Sequence, residues 1–266
     1  MNFATISIYV DGSGKLHLAI TSTNDVWYCA EALLTQSLGY GIYRFYLDND
    51  VSNLPDQIVL GLFTWSDNAD YTHREIDVEF SNGAVVGRPT SWQYVIQPWD
   101  TPGNRHQFSA PANMNKSVHQ FLWLPGAVYF DSFTNHISDV MTYEIQGAPT
   151  VDFSNPWLLA TQLVSGPTSN NIVVISNGGF APRQFVRANL NSLSGKPSPF
   201  QDHIFTSGIP MAGDETVHLN LWLYGGAPGT SGQRFEVVIS NFVFIPFNQI
   251  PRPKLGRLDV TTDKLT

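Results

Sequence analysis

Short stretches in which apolar and polar residues alternate recur through most of the 266-residue chain, and turn sequences separate them. Lys15–Ile20 is one example, because its aliphatic residues fall on one side and it follows the turn sequence Asp11–Gly14. Such stretches follow one another at a spacing of about ten residues, which is typical of an all-β sandwich. The pattern therefore predicts a two-sheet antiparallel β-sandwich without helices longer than a turn or two.

Some of the predicted strands differ strongly between their two faces. One has His119 and Trp123 on one face and leucines on the other. A later strand has His218, Asn220 and Trp222 on the face opposite its leucines. Because an aliphatic face packs between two sheets, we expect the polar and aromatic faces to line a groove on one sheet.

The most unusual strand is Arg74–Phe80. Successive side chains of a strand alternate, so Glu75, Asp77 and Glu79 share one face and three apolar residues share the other. Like charges at adjacent positions of one face weaken a strand, and a local arrangement that costs stability is expected mainly at functional sites. The pattern indicates a functional cluster of carboxylates, and a solvated acidic edge strand is the alternative.

Composition narrows the possible functions. Charged residues make up only 14% of the chain, against ~25% in a typical soluble domain. The net charge of −8 argues against nucleic-acid phosphates and is compatible with a neutral polymer. The single cysteine, Cys29, excludes an intrachain disulfide and a Cys-rich zinc site, and the seven histidines show no ligand spacing. No apolar run approaches the ~20 residues of a membrane span.

The domain organisation follows from where the strand signal weakens. Between about residues 150 and 206, loop-like sequences surround one short apolar strand, Ile172–Ile175. We expect a single domain over residues 1–250, with 150–206 as an excursion over its surface, and a C-terminal tail over 251–266. Met1–Ala4 passes directly into strand-like sequence without a signal peptide, which fits either an intracellular protein or a mature or trimmed form.

Several stretches together resemble glycoside hydrolase family 16, the jelly-roll glucanases that include lichenases and xyloglucan-modifying enzymes. Glu75–Phe80 is similar to that family's Glu-x-Asp-x-Glu signature. Weaker likenesses are found at Cys29–Glu31 with Leu38–Tyr43, at Val118–Trp123 and at Leu219–Trp222, and the resemblance spans about residues 5–145 and 210–246. It implies a concanavalin A-like jelly roll with a substrate groove on the concave sheet.

The resemblance also implies roles for the three carboxylates. Glu75 would be the nucleophile of a retaining mechanism, Glu79 its acid/base, and Asp77 would orient Glu75 and tune its proton sharing. The residues alone leave the stereochemistry open. Positions four apart on a strand have α-carbons ~13 Å apart, and leaning side chains reach both the retaining separation of ~5–5.5 Å and the inverting one of ~6.5–9.5 Å.

Substrate-binding candidates come from the same strands. Three tryptophans offer flat faces for sugar rings, and three polar residues offer hydrogen bonds to hydroxyls. The candidates are Trp65, Trp92 and Trp222, with Glu31, His119 and Asn220. The chain departs from the family at Leu33, where a basic residue is expected after Glu31.

We therefore expect an endo-acting retaining β-glycan hydrolase that is a secreted or periplasmic monomer. Its partner would be a polysaccharide or oligosaccharide, with no nucleic acid, membrane, cofactor or catalytic metal. A transglycosylase on the same site and a non-catalytic, lectin-like carbohydrate-binding jelly roll are the alternatives. A structural Ca²⁺ would fit the family, but no sequence feature indicates it, and three carboxylates on one strand face make a poor cage for calcium.

Overall fold

The computed structural model describes residues 2–4, 7–82, 92–111, 113–136, 171–175, 185–189, 199–225, 228–230 and 232–247. These residues form β-strands joined by loops and short 3-10 turns, and none of their helices is long and apolar enough to cross a membrane. The strands are β1 (Ile8–Val10), β2 (Leu16–Thr23), β3 (Val26–Tyr28), β4 (Ala30–Leu33), β5 (Gly41–Leu47), β6 (Ile58–Trp65), β7 (Ile76–Ser81), β8 (Trp92–Ile96), β9 (Arg105–Phe108), β10 (Ser117–Leu124), β11 (Ala127–Thr134), β12 (Asn171–Ile175), β13 (Phe185–Asn189), β14 (Gln201–Phe205), β15 (Thr216–Leu223) and β16 (Arg234–Pro246).

Two large antiparallel sheets form the architecture. The eight-stranded sheet has the order β1-β2-β16-β5-β10-β11-β14, with β3 paired to β2, and the six-stranded sheet has the order β4-β15-β6-β7-β8-β9. Strands that are neighbours in a sheet are often distant in sequence, as when β15 inserts between β4 and β6. This is the two-sheet sandwich that the alternating pattern predicts.

The core lies between the two sheets. On β7, the residues Ile76 and Val78 are 0% exposed and share one hydrophobic cluster with Phe121 of β10. Because one side of each strand packs inward, the alternate residues of the six-stranded sheet point away from the core. We call this outward side the carboxylate face, since it carries Asp77 and Glu79.

The predicted excursion at 150–206 is only partly within the described residues. β12 and β13 pair with each other there, and the rest of residues 151–198 and the tail at 251–266 lie outside the described part of the chain. At its end, β14 pairs with β11, from Gln201 opposite Ser132 to Phe205 opposite Val128. The last residues of that stretch therefore belong to the eight-stranded sheet rather than to an excursion from it.

Candidate active site

The three acidic residues lie in the interior of a sheet. In the pairing of β7 with β6, Asp77 is opposite Phe63 and Glu79 is opposite Gly61. On the other side, β7 pairs with β8, and Gln97 N donates to Glu75 O at 3.2 Å. The alternative of a solvated acidic edge strand is therefore wrong, because β7 has a hydrogen-bonded neighbour on both sides.

Asp77 is the most enclosed of the three carboxyls, with 2% exposure. Burial raises its pKa well above the ordinary value, and the charges of Glu75 and Glu79 raise it further. Its carboxyl is hydrogen-bonded to that of Glu75 and accepts a bond from Gln97 Nε2 at 3.2 Å. A hydrogen bond between two carboxyls needs one proton. This bond raises the pKa of Asp77 and lowers that of Glu75, which is the effect expected when Asp77 holds the proton and donates it to Glu75.

Glu75 and Glu79 also hold protons more strongly than free glutamates do. Burial raises the pKa of Glu75 to about 7, although the hydrogen bond from Asp77 pulls in the opposite direction. Burial likewise raises the pKa of Glu79, against the lowering effects of Gln93 and Arg105. Gln93 Nε2 donates to Glu79 Oε2 at 2.5 Å. The cluster is therefore suited to proton transfer near neutral pH.

A left-handed turn leads into Glu75. The four residues Tyr71–Arg74 have φ values between 53° and 60°, a region that costs non-glycine residues roughly 1–2 kcal/mol each. Side-chain bonds hold the turn: Thr64 Oγ1 donates to Arg74 O at 2.8 Å and accepts from Ile76 N at 3.2 Å. Strained backbone is common at functional sites, and here it fixes the entry of the chain into β7.

Arg74 ties this turn to the loop before β15. Its Nε lies 3.4 Å from Asp214 Oδ1, and its Nη1 donates to Asp70 O at 3.1 Å. The guanidinium packs directly on Gly213, where a Cβ atom would clash with Arg74 Nε. The position of the residue that precedes Glu75 thus depends on a glycine in a distant loop.

Four predicted substrate-binding residues lie on the carboxylate face, on the β6 side of β7. Glu31 of β4 is opposite Asn220 of β15, which is in turn opposite Gly61. Gly61 makes room for the amide, because a Cβ there would lie 2.6 Å from Asn220 Oδ1. This Oδ1 is buried without a hydrogen-bond partner, and such an acceptor suits a ligand hydroxyl.

The two tryptophans of this group are partly exposed. Trp222 alternates with Asn220 along β15 and so shares its face. Trp65, at the end of β6, stacks on His73 with ring centroids 4.1 Å apart and planes 6° apart. These positions agree with the prediction that both tryptophans belong to the same face as the carboxylates.

The structure places Trp92 and His119 elsewhere, and the prediction that they line the groove is wrong. Trp92 is 0% exposed and packs edge-on against Phe80 in the core. His119 is also 0% exposed and lies on the eight-stranded sheet, between Ser117 Oγ at 2.9 Å and Ser132 Oγ at 2.7 Å. Burial lowers the pKa of His119 to about 3, so its ring is neutral. The aromatic face of β10 is the one that packs inward.

His218 is a residue of the site that the sequence did not single out as a ligand-binding candidate. Its Nδ1 lies 2.8 Å from Glu31 Oε1, and its Nε2 lies 2.9 Å from Thr216 Oγ1. His218 is directly opposite Leu33 in the strand pairing. It therefore supplies Glu31 with a nitrogen partner at the place where the family would have a basic residue instead of Leu33. The alternation of β15 places it on the right face, but only the register reveals its partner.

Further unpredicted residues lie on the β8–β9 side of the carboxylates. Gln93 and Gln97 bind Glu79 and Asp77, as described above. Trp99 follows β8, is 54% exposed, and has the Arg105 guanidinium 5.2 Å from its ring centroid. No alternation marks Trp99, because it lies past the end of its strand.

No group of three or more His, Cys, Asp or Glu side chains in the described residues is arranged to hold a metal ion. The carboxylate face offers acid, base and hydrogen-bonding groups. Those groups suit proton transfer and nucleophilic attack.

Comparison with known proteins supports the fold. No model of a known protein family matches the chain, and no curated protein matches it by sequence. Among solved structures, a Bacillus licheniformis β-glucanase superposes with a TM-score of 0.51 at 14% identity, over 91% of this chain and 83% of that one. A glycosyl hydrolase family 16 protein from Mycobacterium smegmatis superposes with a TM-score of 0.48 at 12% identity, over 90% of this chain and 78% of that one. The Mycobacterium tuberculosis protein Rv0315, described as a pseudo β-1,3-glucanase, superposes with a TM-score of 0.45 at 16% identity, over 90% of this chain and 77% of that one.

The likeness to the β-glucanase shows a two-sheet β jelly roll, and it confirms the predicted fold class. The resemblance to jelly-roll glucanases that the acidic strand indicates agrees with the β-glucanase neighbour.

Proposed function

We propose that the protein is an endo-acting retaining β-glycan hydrolase with Glu75 as nucleophile and Glu79 as acid/base. The observation that carries the proposal is the cluster of three enclosed carboxyls on one face of β7, whose pKa values are all raised. A structural or purely sugar-binding face has no need to hold three acids together at this cost.

The protonation pattern fits the two roles. Glu75 accepts the Asp77 proton in a hydrogen bond, which favours its ionised form as a nucleophile. Glu79 keeps its proton to higher pH than an ordinary glutamate, as a general acid requires.

In the first step the Glu75 carboxylate forms a bond to the anomeric carbon, while the glycosidic bond breaks and its oxygen takes the Glu79 proton. In the second step Glu79 takes a proton from water, and the water oxygen displaces Glu75. A sugar hydroxyl in place of water gives transglycosylation on the same site.

The substrate we propose is a neutral β-linked polysaccharide, held by the polar and aromatic groups that flank the carboxylates. The β-glucanase likeness supports a polysaccharide of this kind. We further propose that the protein works as a monomer without a cofactor, outside the cytoplasm where such polymers occur.

The test is release of reducing ends from a panel of β-1,3, β-1,4 and mixed-linkage glucans, xyloglucan and galactans. Glu75→Gln should lower the rate on the order of 10³-fold or more. Glu236→Gln, a carboxylate on the eight-stranded sheet that pairs with Arg234, should leave the rate unchanged. Early product should keep the β configuration, as seen by proton NMR. A fully active Glu75→Gln variant would overturn the assignment of Glu75.

The lectin-like alternative makes its own prediction. If no glycan is cleaved but one binds with an affinity that Asn220→Ala reduces, the face serves recognition alone.

A further inference from the structure

Trp99 is an exposed aromatic residue beside the carboxylates that the proposed mechanism does not use. Arg105 stands opposite Val95 in the pairing of β9 with β8, and Val95 stands opposite Asp77. Arg105 therefore projects from the carboxylate face. Its guanidinium lies over the Trp99 ring, at 5.2 Å from the centroid, so the ring is beside that face as well.

The Trp99 backbone is held by a chain of hydrogen bonds that begins at Asp77, and the Arg105 guanidinium covers one side of its ring. Gln97 Nε2 donates to Asp77 Oδ2 at 3.2 Å, and Gln97 Oε1 accepts from Trp99 N at 2.8 Å. An aromatic side chain that is 54% exposed gains little from burial. A fixed, accessible aromatic face next to hydrogen-bond donors is the usual platform for an amphipathic ring.

Trp99 and the other sugar-binding candidates lie on opposite sides of β7. Glu31, Asn220 and Trp222 are on β4 and β15, on the β6 side of β7. Trp99 and Arg105 are on the opposite side, so the carboxylates lie between two sets of binding groups. An endo-acting enzyme must hold sugar units on both sides of the bond that it cleaves.

The orientation of Glu79 indicates which side receives the leaving group. Glu79 is bonded to Gln93 of β8, so its carboxyl lies toward the β8–β9 side. The acid must touch the oxygen that joins the two sugar units. The unit that departs is therefore expected on the side of Trp99.

We propose that Trp99 and Arg105 form the subsite for the sugar unit on the leaving-group side of the scissile bond. The subsite would take a hexopyranose with equatorial hydroxyls, because its C–H face is flat and apolar enough to stack on the indole. Arg105 would donate to its hydroxyls. This inference rests on the proposed function, since it names a subsite of the same reaction.

The experiment compares Trp99→Ala, Trp99→Phe and a matched control. Tyr9→Ala is the control, because Tyr9 is also an exposed aromatic under an arginine, with Arg234 at 5.6 Å, but it belongs to the eight-stranded sheet. Each variant is assayed on the polymer that the native chain cleaves best and on an oligoglycosyl fluoride, whose leaving group is a fluoride ion too small to contact the Trp99 ring.

Trp99→Ala should lower kcat/KM on the polymer about tenfold and on the glycosyl fluoride by less than about twofold. Trp99→Phe should retain most of the native rate on the polymer, and Tyr9→Ala should match the native chain on both substrates. Native-like hydrolysis of the polymer by Trp99→Ala would overturn the subsite while leaving the proposed function intact. Equal losses on both substrates would overturn its placement on the leaving-group side.

A binding measurement separates this inference from the proposed function. Oligosaccharides of the panel are titrated calorimetrically into Glu75→Gln and into the double variant with Trp99→Ala. If the native chain cleaves nothing, the proposed function fails and the leaving-group placement fails with it, whereas a weaker affinity of the double variant still supports a sugar-binding site at Trp99. Equal affinities, or no binding to either protein, would reject it.

Discussion

His218 of β15 lies directly opposite Leu33 of β4 and reaches Glu31 of the same strand through a 2.8 Å contact between Nδ1 and Oε1. The neighbouring strand thus provides the basic partner that Leu33 does not. A carboxylate held by an imidazole is fixed in direction and ready to accept hydrogen bonds from sugar hydroxyls. We therefore expect His218 to contribute to binding on the β4–β15 side.

The first prediction concerns this pair. His218→Ala should raise KM for the polymer about three- to tenfold with little change in kcat, because the residue acts on binding and not on the carboxylates. Leu33→Arg, added to His218→Ala, should recover part of the loss, since position 33 is opposite 218. His17→Ala is the control, because His17 contacts carboxylates on the other sheet. A loss confined to kcat would contradict the binding role.

The second prediction concerns the acid limb of the pH–rate profile, where kcat/KM falls as the pH decreases. Because the pKa of Glu75 is about 7, kcat/KM should fall as the pH drops below about 7 and the nucleophile becomes protonated. Asp77→Ala removes the hydrogen bond that lowers the pKa of Glu75, so this limb should move to higher pH. Asp77→Asn keeps a hydrogen-bond donor to Glu75 and should therefore move the acid limb less. Rate profiles from pH 4 to 10 test the shift, and identical profiles for the two variants would argue against it.

The third prediction concerns the alkaline limb. Gln93 lowers the pKa of Glu79 by donating to its carboxylate. Gln93→Leu should therefore raise that pKa and extend activity to higher pH, provided that the acid limb stays in place. Gln107→Leu is a suitable control, because Gln107 bonds Gln93 and not Glu79. An alkaline limb that moves to lower pH in Gln93→Leu would show that Glu79 is not the acid.

The fourth prediction concerns stability. The folded-state pKa of Glu75 is about 7 and its ordinary value is 4.5, so the folded protein binds this proton more tightly than the unfolded one. The stabilising effect is complete below pH 4.5 and is lost as the pH rises through 7, by on the order of 3 kcal/mol. Glu75→Gln removes this dependence. Urea unfolding measures this difference. Between pH 5 and pH 8 the free energy of unfolding should fall less for Glu75→Gln than for the native chain. A constant difference between the two proteins would rule this out.

The fifth prediction concerns Gly61. A methyl group there would lie 2.6 Å from Asn220 Oδ1, so Gly61→Ala should displace the amide and weaken oligosaccharide binding several-fold. In an Asn220→Ala background the same change should have a much smaller effect, because only the looser contacts of 3.3 and 3.4 Å with the Phe63 ring remain. Gly12→Ala is the neutral control, since nothing lies within 4 Å of a Cβ at that position. Additive losses in the double variant would refute the contact.

Much of the fold and the centre of the site follow from alternation alone. The period of two separates the acidic and apolar faces of β7 correctly, and it groups Asn220 with Trp222. Alternation does not say which face of a strand packs inward when both faces carry large side chains. For this reason the pattern predicts Trp92 and His119 in the groove, although they belong to the core.

The remaining errors and omissions have a different origin. The partner of His218 depends on the register between strands that are far apart in sequence, and loop residues such as Trp99 have no periodic signal. β14 is short and its residues are mostly polar, so its membership of the eight-stranded sheet depends on the pairing with β11. Pairings of this kind are tertiary information.

The alternation along β7 has a consequence for how the protein tolerates change in length. The same six residues supply the core with Ile76, Val78 and Phe80 and the outward face with two of the three acids. Inserting or deleting one residue in β7 would exchange the two sets, turning carboxyls toward the core and apolar groups toward solvent. Substitutions in this strand can therefore be separated into those that affect packing and those that affect chemistry, whereas a length change would destroy both at once.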